Sequence, residues 1–434
     1  MGTLSVDKLV KTSSGAAEFT LPATDGAAGA VLQTDGSGQL SVATVGSSGI
    51  ATDAVGSSQI AANAVTATEI AATTITPAQM ANSAFLANRN MIINGAMQIA
   101  QRGTTAAGTT SNTYSQLDRW GLGSGSSFNF DVTATTNTTT VNTEDGFASA
   151  LMITPDSTQT PTGSHNATIY YLMEGYDAQR LKQGGANAET FTLSFYANAV
   201  GKTGVYSVCC IKKDAAGAAR YQVKEFTVTT SWVRHTITFE ADTTALIRNS
   251  NASALNFYFS MACGPDDIVA PTTAWATGGG IAAGTNQVNF MDSTSNEFHI
   301  TGVQLEVGSN ATPFEHKTFA QDLQACQRYY EKSYNQGVAL GSNTNVGAYR
   351  PRHPSAGTNG SPISFRVSKR TTPTIVFYSR NTGATGKVTN MSGGASDINC
   401  ATEGYAGEWN TVANYTSSGS ETNVEGHWTA DAEL

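Results

Sequence analysis

The chain has 434 residues, too many for one hydrophobic core, so two or three domains are expected. Only 13% of residues are charged, about half the ~25% of average usage, and glycine accounts for 43 positions, so the surface must be built from Ser, Thr, Asn, Gln and Gly. A net charge of −9 with no Lys/Arg cluster longer than two excludes a nucleic-acid footprint, and no window approaches 18 consecutive apolar residues, which excludes a membrane-spanning helix.

Residues 1–45 read as short strands around Leu4–Val6, Glu18–Leu21, Val31–Thr34 and Gln39–Val42. Asp25-Gly26 and Asp35-Gly36-Ser37-Gly38 supply the turns between them. The opening MGTLSVDKLVKTSS has no apolar stretch that would serve as a signal peptide, so synthesis and retention in the cytoplasm are expected.

Residues 46–87 form an internal repeat of ten-residue units, GSSGIATDAV, GSSQIAANAV, TATEIAATTI and TPAQMANSAF. Ile50, Val55, Ile60, Val65, Ile70 and Ile75 recur at a spacing of five. A five-residue step makes neither one helical stripe nor one strand face, so a turn must intervene in each unit. With so few large side chains, one copy cannot bury a core, and repeats of this kind need neighbours. Several identical chains wound about one axis, the six residues pointing inward, satisfy that need. A homotrimeric shaft is the expectation.

From Asn88 the texture changes. Asn94-Gly95 between Met91–Ile93 and Met97–Ile99 predicts a tight hairpin. Strands are predicted at Ser127–Val132, Ala148–Thr154, Thr168–Met173, Phe191–Ala197, Val205–Ile211, Tyr221–Val228, Val233–Phe239, Leu255–Ala262 and Asn296–Glu306. Their number and spacing point to a β-sandwich or jelly roll over residues 88–316. One helix is predicted within residues 317–336, from Phe319 to Lys332, with Thr318 and Gln321 as a capping box and Phe319, Leu323, Cys326 and Tyr330 on one face. Residues 337–434 return to strands at Ile363–Val367, Thr374–Tyr378, Gly386–Met391, Trp409–Tyr415 and Thr422–Trp428, read as a separate β-rich tip. The fold class is therefore all-β: a repetitive shaft, a central sandwich or jelly roll, one short helix and a C-terminal tip.

Little in the sequence points to bond-breaking chemistry. The carboxylate pairs Glu174 with Asp177, Asp266 with Asp267 and Glu403 with Glu408 would suit polysaccharide cleavage, yet nothing sets them apart from surface carboxylates. The six histidines show no ligand spacing, and the five cysteines, odd in number, match no zinc pattern. No metal and no cofactor are expected, although His427 would triple on a trimer axis. Adjacent Cys209 and Cys210 should point to opposite faces of a strand, as free and mostly buried thiols. Binding is better supported than catalysis: aromatic rings stack on sugar C–H faces, and loops on a rigid scaffold place them. Tyr349, Tyr405 and Trp409, flanked by glycine and short polar residues, are the expected exposed binding aromatics.

Several stretches resemble phage tail fibre proteins of marine and environmental phages. MGTLSVDKLVKTSSGAAEFTLPATDG with VLQTDGSGQL resembles their virion-proximal end, and AVGSSQIAANAVTATEIAA their shaft. NRNMIINGAMQIAQRGTT with Leu117–Trp120 (LDRW) is similar to the start of their jelly roll, and FHITGVQLEVGSNATPFEHKTFAQDLQACQRYYEKS to its end. The resemblance covers most of residues 1–335 and implies a trimeric fibre, residing in the virion, whose distal part binds a host surface structure. On that reading residues 1–45 anchor on a tail, adaptor or hub protein. The resemblance says little about residues 337–434, which are expected, from their aromatics, to meet a host surface glycan or outer-membrane component without catalysis. A purely structural tail component supporting another adhesin, a polysaccharide-degrading tailspike, and a carbohydrate-binding domain of a secreted enzyme are the alternatives.

Overall fold

The computed structural model describes residues 8–10, 18–20, 22, 30–34, 40–43, 60, 88–109, 113–114, 117–125, 130–137, 145–353, 357–392, 394–402, 404, 406–417 and 422–434. The chain divides into two compact units, Met1–Thr76 and Pro77–Leu434.

In the first unit, β1 (Lys8–Val10) pairs antiparallel with β2 (Glu18–Thr20), and β3 (Val31–Thr34) with β4 (Leu40–Ala43). The first predicted strand, Leu4–Val6, lies outside the described residues. So do Ile50, Val55, Val65, Ile70 and Ile75. Ile60 is described, at a bend and 44% exposed in the single chain.

The second unit opens with β5 (Thr105–Thr109), β6 (Trp120–Gly125), β7 (Phe130–Asn137), β8 (Ala150–Pro155) and β9 (Asn166–Glu174). A short helix α1 (Gly175–Ala178) follows, then β10 (Phe191–Val200), β11 (Gly204–Lys213), β12 (Ala219–Val228), β13 (Val233–Phe239) and β14 (Ser253–Cys263). The two-residue strands β15 (Ile268–Val269), β16 (Ala276–Thr277) and β17 (Ala283–Gly284) precede β18 (Glu297–Val307). Two six-stranded sheets result, in the orders β13-β10-β18-β8-β7-β5 and β16-β12-β11-β14-β9-β6. Alternation along each strand sends Leu193 and Phe195 of the first sheet and Phe257 and Phe259 of the second into one core. The Phe195 and Phe259 rings meet edge to face at 5.1 Å. This is the β-sandwich expected for residues 88–316. Cys210 enters that core, while Cys209 joins Ile211 and Val223 on the opposite face.

Asn94-Gly95 does not make the predicted hairpin. Residues 93–96 form a turn with Asn94 at φ 57°, and neither flank is a strand. The Asn94 side chain instead accepts from the Gln98 and Ile99 amides and donates to the Ile99 and Asp118 carbonyls. Its polar groups fix the local path, so no partner strand is required.

Helix α2 (Phe319–Gln327) starts at the expected capping box, in which Thr318 Oγ1 accepts from the Gln321 amide and the Gln321 side chain accepts from the Thr318 amide. It stops before the predicted Lys332, because Tyr330–Lys332 pairs as strand β19 with the last strand. Of its predicted apolar face, Cys326 is buried while Phe319 is 48% exposed.

Beyond lie β20 (Arg352–His353), β21 (Gly357–Ser364), β22 (Thr374–Ser379), β23 (Lys387–Asn390), β24 (Ser396–Thr402), β25 (Asn410–Ser417) and β26 (Thr422–Asp431). The third sheet runs β19-β26-β23-β24-β25-β21, with β20 and β22 also on β26. It curls around its own core of Phe365, Phe377, Val388, Tyr415, Val424 and Trp428. Residues 88–316, 317–336 and 337–434, three segments in the sequence reading, fall within the one unit. β19 is a strand of the third sheet, and the Ala432 amide donates to the Tyr329 carbonyl at 2.7 Å. Glu433 reaches the buried Arg119 and lies 3.5 Å from Arg102, both from the start of the sandwich.

Candidate functional site: a polar cleft on the third sheet

The described surface carries a cleft of about 550 Å³ on β23, β24 and β25. Register builds it: Lys387 pairs with Asn399, Thr389 with Asp397, and Ala401 with Asn414. Val388, Ile398, Cys400, Ala413 and Tyr415, the alternate residues, face the sheet's core. Lys387, Asp397, Asn399, Asn414 and Thr416 are thereby left to the other face, where they line the cleft.

The Lys387 ammonium donates to Asn399 Oδ1. Asp397 accepts from the Ser379 and Thr382 hydroxyls, and Ser379 Oγ lies 3.0 Å from Thr389 Oγ1. The carboxylate is thus tethered to the neighbouring turn. The two asparagine amides and the threonine hydroxyls both donate and accept hydrogen bonds, which complements a polyhydroxylated ligand. Asp397 is the single carboxylate among the lining residues, whereas glycoside hydrolysis uses two across the scissile bond.

Of the predicted aromatics, Tyr349 and Trp409 stand apart from this cleft. Tyr349 is half-buried, not exposed: its backbone bridges Gly426, its ring packs on the sheet's core, and burial pushes its phenol up to about 12. Trp409 is 67% exposed, as expected, at the foot of β25. It has the parity of Thr411, Ala413 and Tyr415, so it sits on the rim of the core side, away from the cleft. Tyr405 lies outside the described residues. The cleft residues escaped sequence reading because they include no exposed aromatic and because β24 was not predicted as a strand. The alternation Asp397, Asn399, Ala401 was the signal available.

The carboxylate pairs resolve differently. Glu174 is buried and held by Arg328 at 2.6 and 3.0 Å, and its Oε2 accepts from Tyr329 at 2.9 Å, with Asp177 3.4 Å from the same hydroxyl. Burial and the neighbouring Glu174 raise the Asp177 carboxyl above its ordinary range. This group braces α2 against β9. Asp266 and Asp267 sit on a 3-10 turn, with burial raising Asp267, while Glu408 is exposed and Glu403 lies outside the described residues. His427 is fully buried in the single chain: Nδ1 lies 3.0 Å from Ser333 Oγ, Nε2 2.9 Å from the Thr344 carbonyl, and Tyr334 stacks on its ring at 3.7 Å. That burial removes it from any symmetry axis. All five cysteines are free, with Cys263 the one that is only half-buried.

No family model and no curated protein matches the chain. Among solved structures, one described as CBM4 is similar at 13% identity over 49% of this chain and 97% of its own, with TM-score 0.27. A xylan-binding domain from Paenibacillus barcinonensis follows at 11% over 48% and 94%, with TM-score 0.24. The enzymatically active domain of tailspike protein 4 from bacteriophage CBA120 stands at 12% over 50% of this chain and 21% of its own, with TM-score 0.25.

Proposed function

We propose that this chain is a bacteriophage tail fibre protein that adheres to the host surface by non-covalent glycan binding. In this reading three copies assemble, residues 1–45 dock on a tail protein, residues 46–87 form the shaft, and the C-terminal part meets the host. The observation that carries it is the open cleft on β23, β24 and β25, whose amides, hydroxyls and single ammonium suit sugar hydroxyls and whose one carboxylate is tethered by Ser379 and Thr382. The resemblance of residues 1–335 to phage fibres supplies the setting, and the five-residue apolar spacing supplies the reason for three chains. Weak single sites suffice for adsorption, because several tips on one particle raise avidity by ~10²–10⁴.

The test uses the purified full chain. Its mass in solution should be three times 45.2 kDa. It should bind cells of the host strain, and replacing Asn399 and Asn414 together with Ala should weaken that binding by about tenfold or more, each lost hydrogen bond being worth ~1 kcal/mol. A stable monomer, undiminished binding by the double variant, or release of soluble oligosaccharide from host envelopes would each overturn part of the reading: assembly, site and absence of turnover in that order.

A further inference from the structure

Hydrogen-bond donors are unevenly placed in the cleft on β23, β24 and β25. Its outward residues along β24 run Asp397, Asn399, Ala401, with Lys387 beside Asn399 on one side and Asn414 beside Ala401 on the other. Asn399 and Ala401 are exposed, and Ala401, the shortest of these side chains, leaves room between Asn399 and Asn414. The cleft's volume of about 550 Å³ falls within the ~300–1,000 Å³ of small-ligand sites.

Lys387 donates to Asn399 Oδ1. An ammonium has three N–H groups and no acceptor, so the amide oxygen must face it. Both N–H groups of Asn399 Nδ2 are thereby turned away from Lys387, and the ammonium keeps two more. Four donors share this end of the cleft. Their charge is unmatched as well. Arg350 and Arg380 pair with Glu425, and Arg366 and Lys369 with Glu331, whereas Lys387 bonds a neutral amide. Asp397, the cleft's carboxylate, stands two residues along β24 and gives one oxygen to Ser379 and the other to Thr382.

A donor-rich corner with a positive charge selects the group that fills it. A sugar hydroxyl would meet part of the hydrogen bonding and none of the charge. A carboxylate brings two oxygens with about four lone-pair sites and the opposite charge, so it can accept from the ammonium and the amide together. Asp397 repels an anion from the other end of β24, which fixes the direction in which such a ligand lies. Across Ala401 the Asn414 amide both donates and accepts, as ring hydroxyls require.

We propose that the cleft recognises a carboxylated sugar of the hexuronate class, its carboxylate on Lys387 Nζ and Asn399 Nδ2, its ring over Ala401 and a hydroxyl on Asn414. This rests on the reading of the cleft as a glycan site and names the class of glycan it takes. Saturation-transfer NMR titrations on the full chain test it, with methyl α-glucuronide and methyl α-galacturonide against methyl α-glucoside and methyl α-galactoside, which carry a hydroxymethyl group in place of the carboxylate. At least one uronide should bind about tenfold or more tighter than its neutral counterpart, the margin of one charge-assisted contact. Raising sodium chloride from ~0.05 to ~0.5 M should narrow that margin, because salt screens a solvent-accessible charge pair. Lys387→Met should abolish the preference and Lys387→Arg should keep most of it, with melting temperatures near the parent's in both, since the side chain lies on the open face. Equal affinity for uronide and neutral glycoside, both weakened by Asn399→Ala with Asn414→Ala, would overturn the acidic class and leave the cleft a glycan site. A preference that survives Lys387→Met would overturn the proposal by placing the anion elsewhere, and binding that also survives the double variant would remove the cleft reading with it. Failure of all four glycosides to receive saturation would overturn the proposal too, while host-cell binding by the double variant would still decide the cleft reading.

Discussion

Glu433 shows how much one side chain does in this fold. Its carboxylate, 5% exposed, pairs with the fully buried Arg119 and lies 3.5 Å from Arg102. Breaking a buried pair by removing one partner typically costs ~3–5 kcal/mol, since the other charge is left without compensation. Arg119 keeps the Leu172 carbonyl and stacks on Tyr329 at 3.6 Å, which places Glu433→Ala at the lower end, about 3 kcal/mol by denaturant unfolding. A loss below ~1 kcal/mol would mean that water reaches the arginines. His235 gives a pH dependence. It lies between Phe195 and Phe226, at 5.2 and 5.1 Å, and burial lowers its pKa from 6.5 to about 4. The unfolded imidazole takes up a proton below about pH 6.5 while the folded one does not, so this contribution is complete above 6.5 and is lost as pH falls toward 4. Unfolding midpoints at pH 7 and 4.5 should therefore differ less in His235→Phe than in the parent. Equal differences would place the proton on the folded imidazole.

At the scale of elements, the turn at residues 93–96 acts as a plug on β18. The Val303 amide donates to the Gly95 carbonyl at 2.9 Å, and a Cβ added at Gly95 would collide with the Val303 carbonyl oxygen. The obstacle is backbone in a central strand, which cannot swing aside. Gly95→Ala is expected to cost ~2–3 kcal/mol, the upper part of the overpacking range. Gly280→Ala makes the control, since open space surrounds that position and the change should stay within ~0.5 kcal/mol. Similar stabilities for the two variants would mean that the turn does not dock on β18.

For the second unit as a whole, the last strand decides which parts fold together. β26 pairs with β19, β20, β22 and β23. β19 also carries Glu331, fully buried and 2.6 Å from the equally buried Lys369. A fragment of residues 337–434 would lose β19, strand the Lys369 ammonium, and leave Glu433 without Arg102 and Arg119. It is expected to show no cooperative unfolding transition by calorimetry, whereas residues 88–434 should. A cooperative transition in the short fragment would make the C-terminal region a detachable module, and binding experiments could then be done on it alone.

The strands of the sandwich were legible because alternation is a local property: Phe191–Ala197 and Val233–Phe239 carry their inward and outward residues in their own sequence, and they sit where the pattern placed them. The capping box at Thr318 and the opposed faces of Cys209 and Cys210 are equally local. Partner choice is not. Asn94-Gly95 has a hairpin's composition, yet its amide side chain found four backbone partners and no strand. Lys387, Asn399 and Asn414 became one cleft only when β23, β24 and β25 came into register. Side-chain periodicity within a strand is fixed by backbone geometry and can be read residue by residue; which strand lies beside it depends on the burial and hydrogen bonding of the whole unit, and the tertiary structure alone decided that.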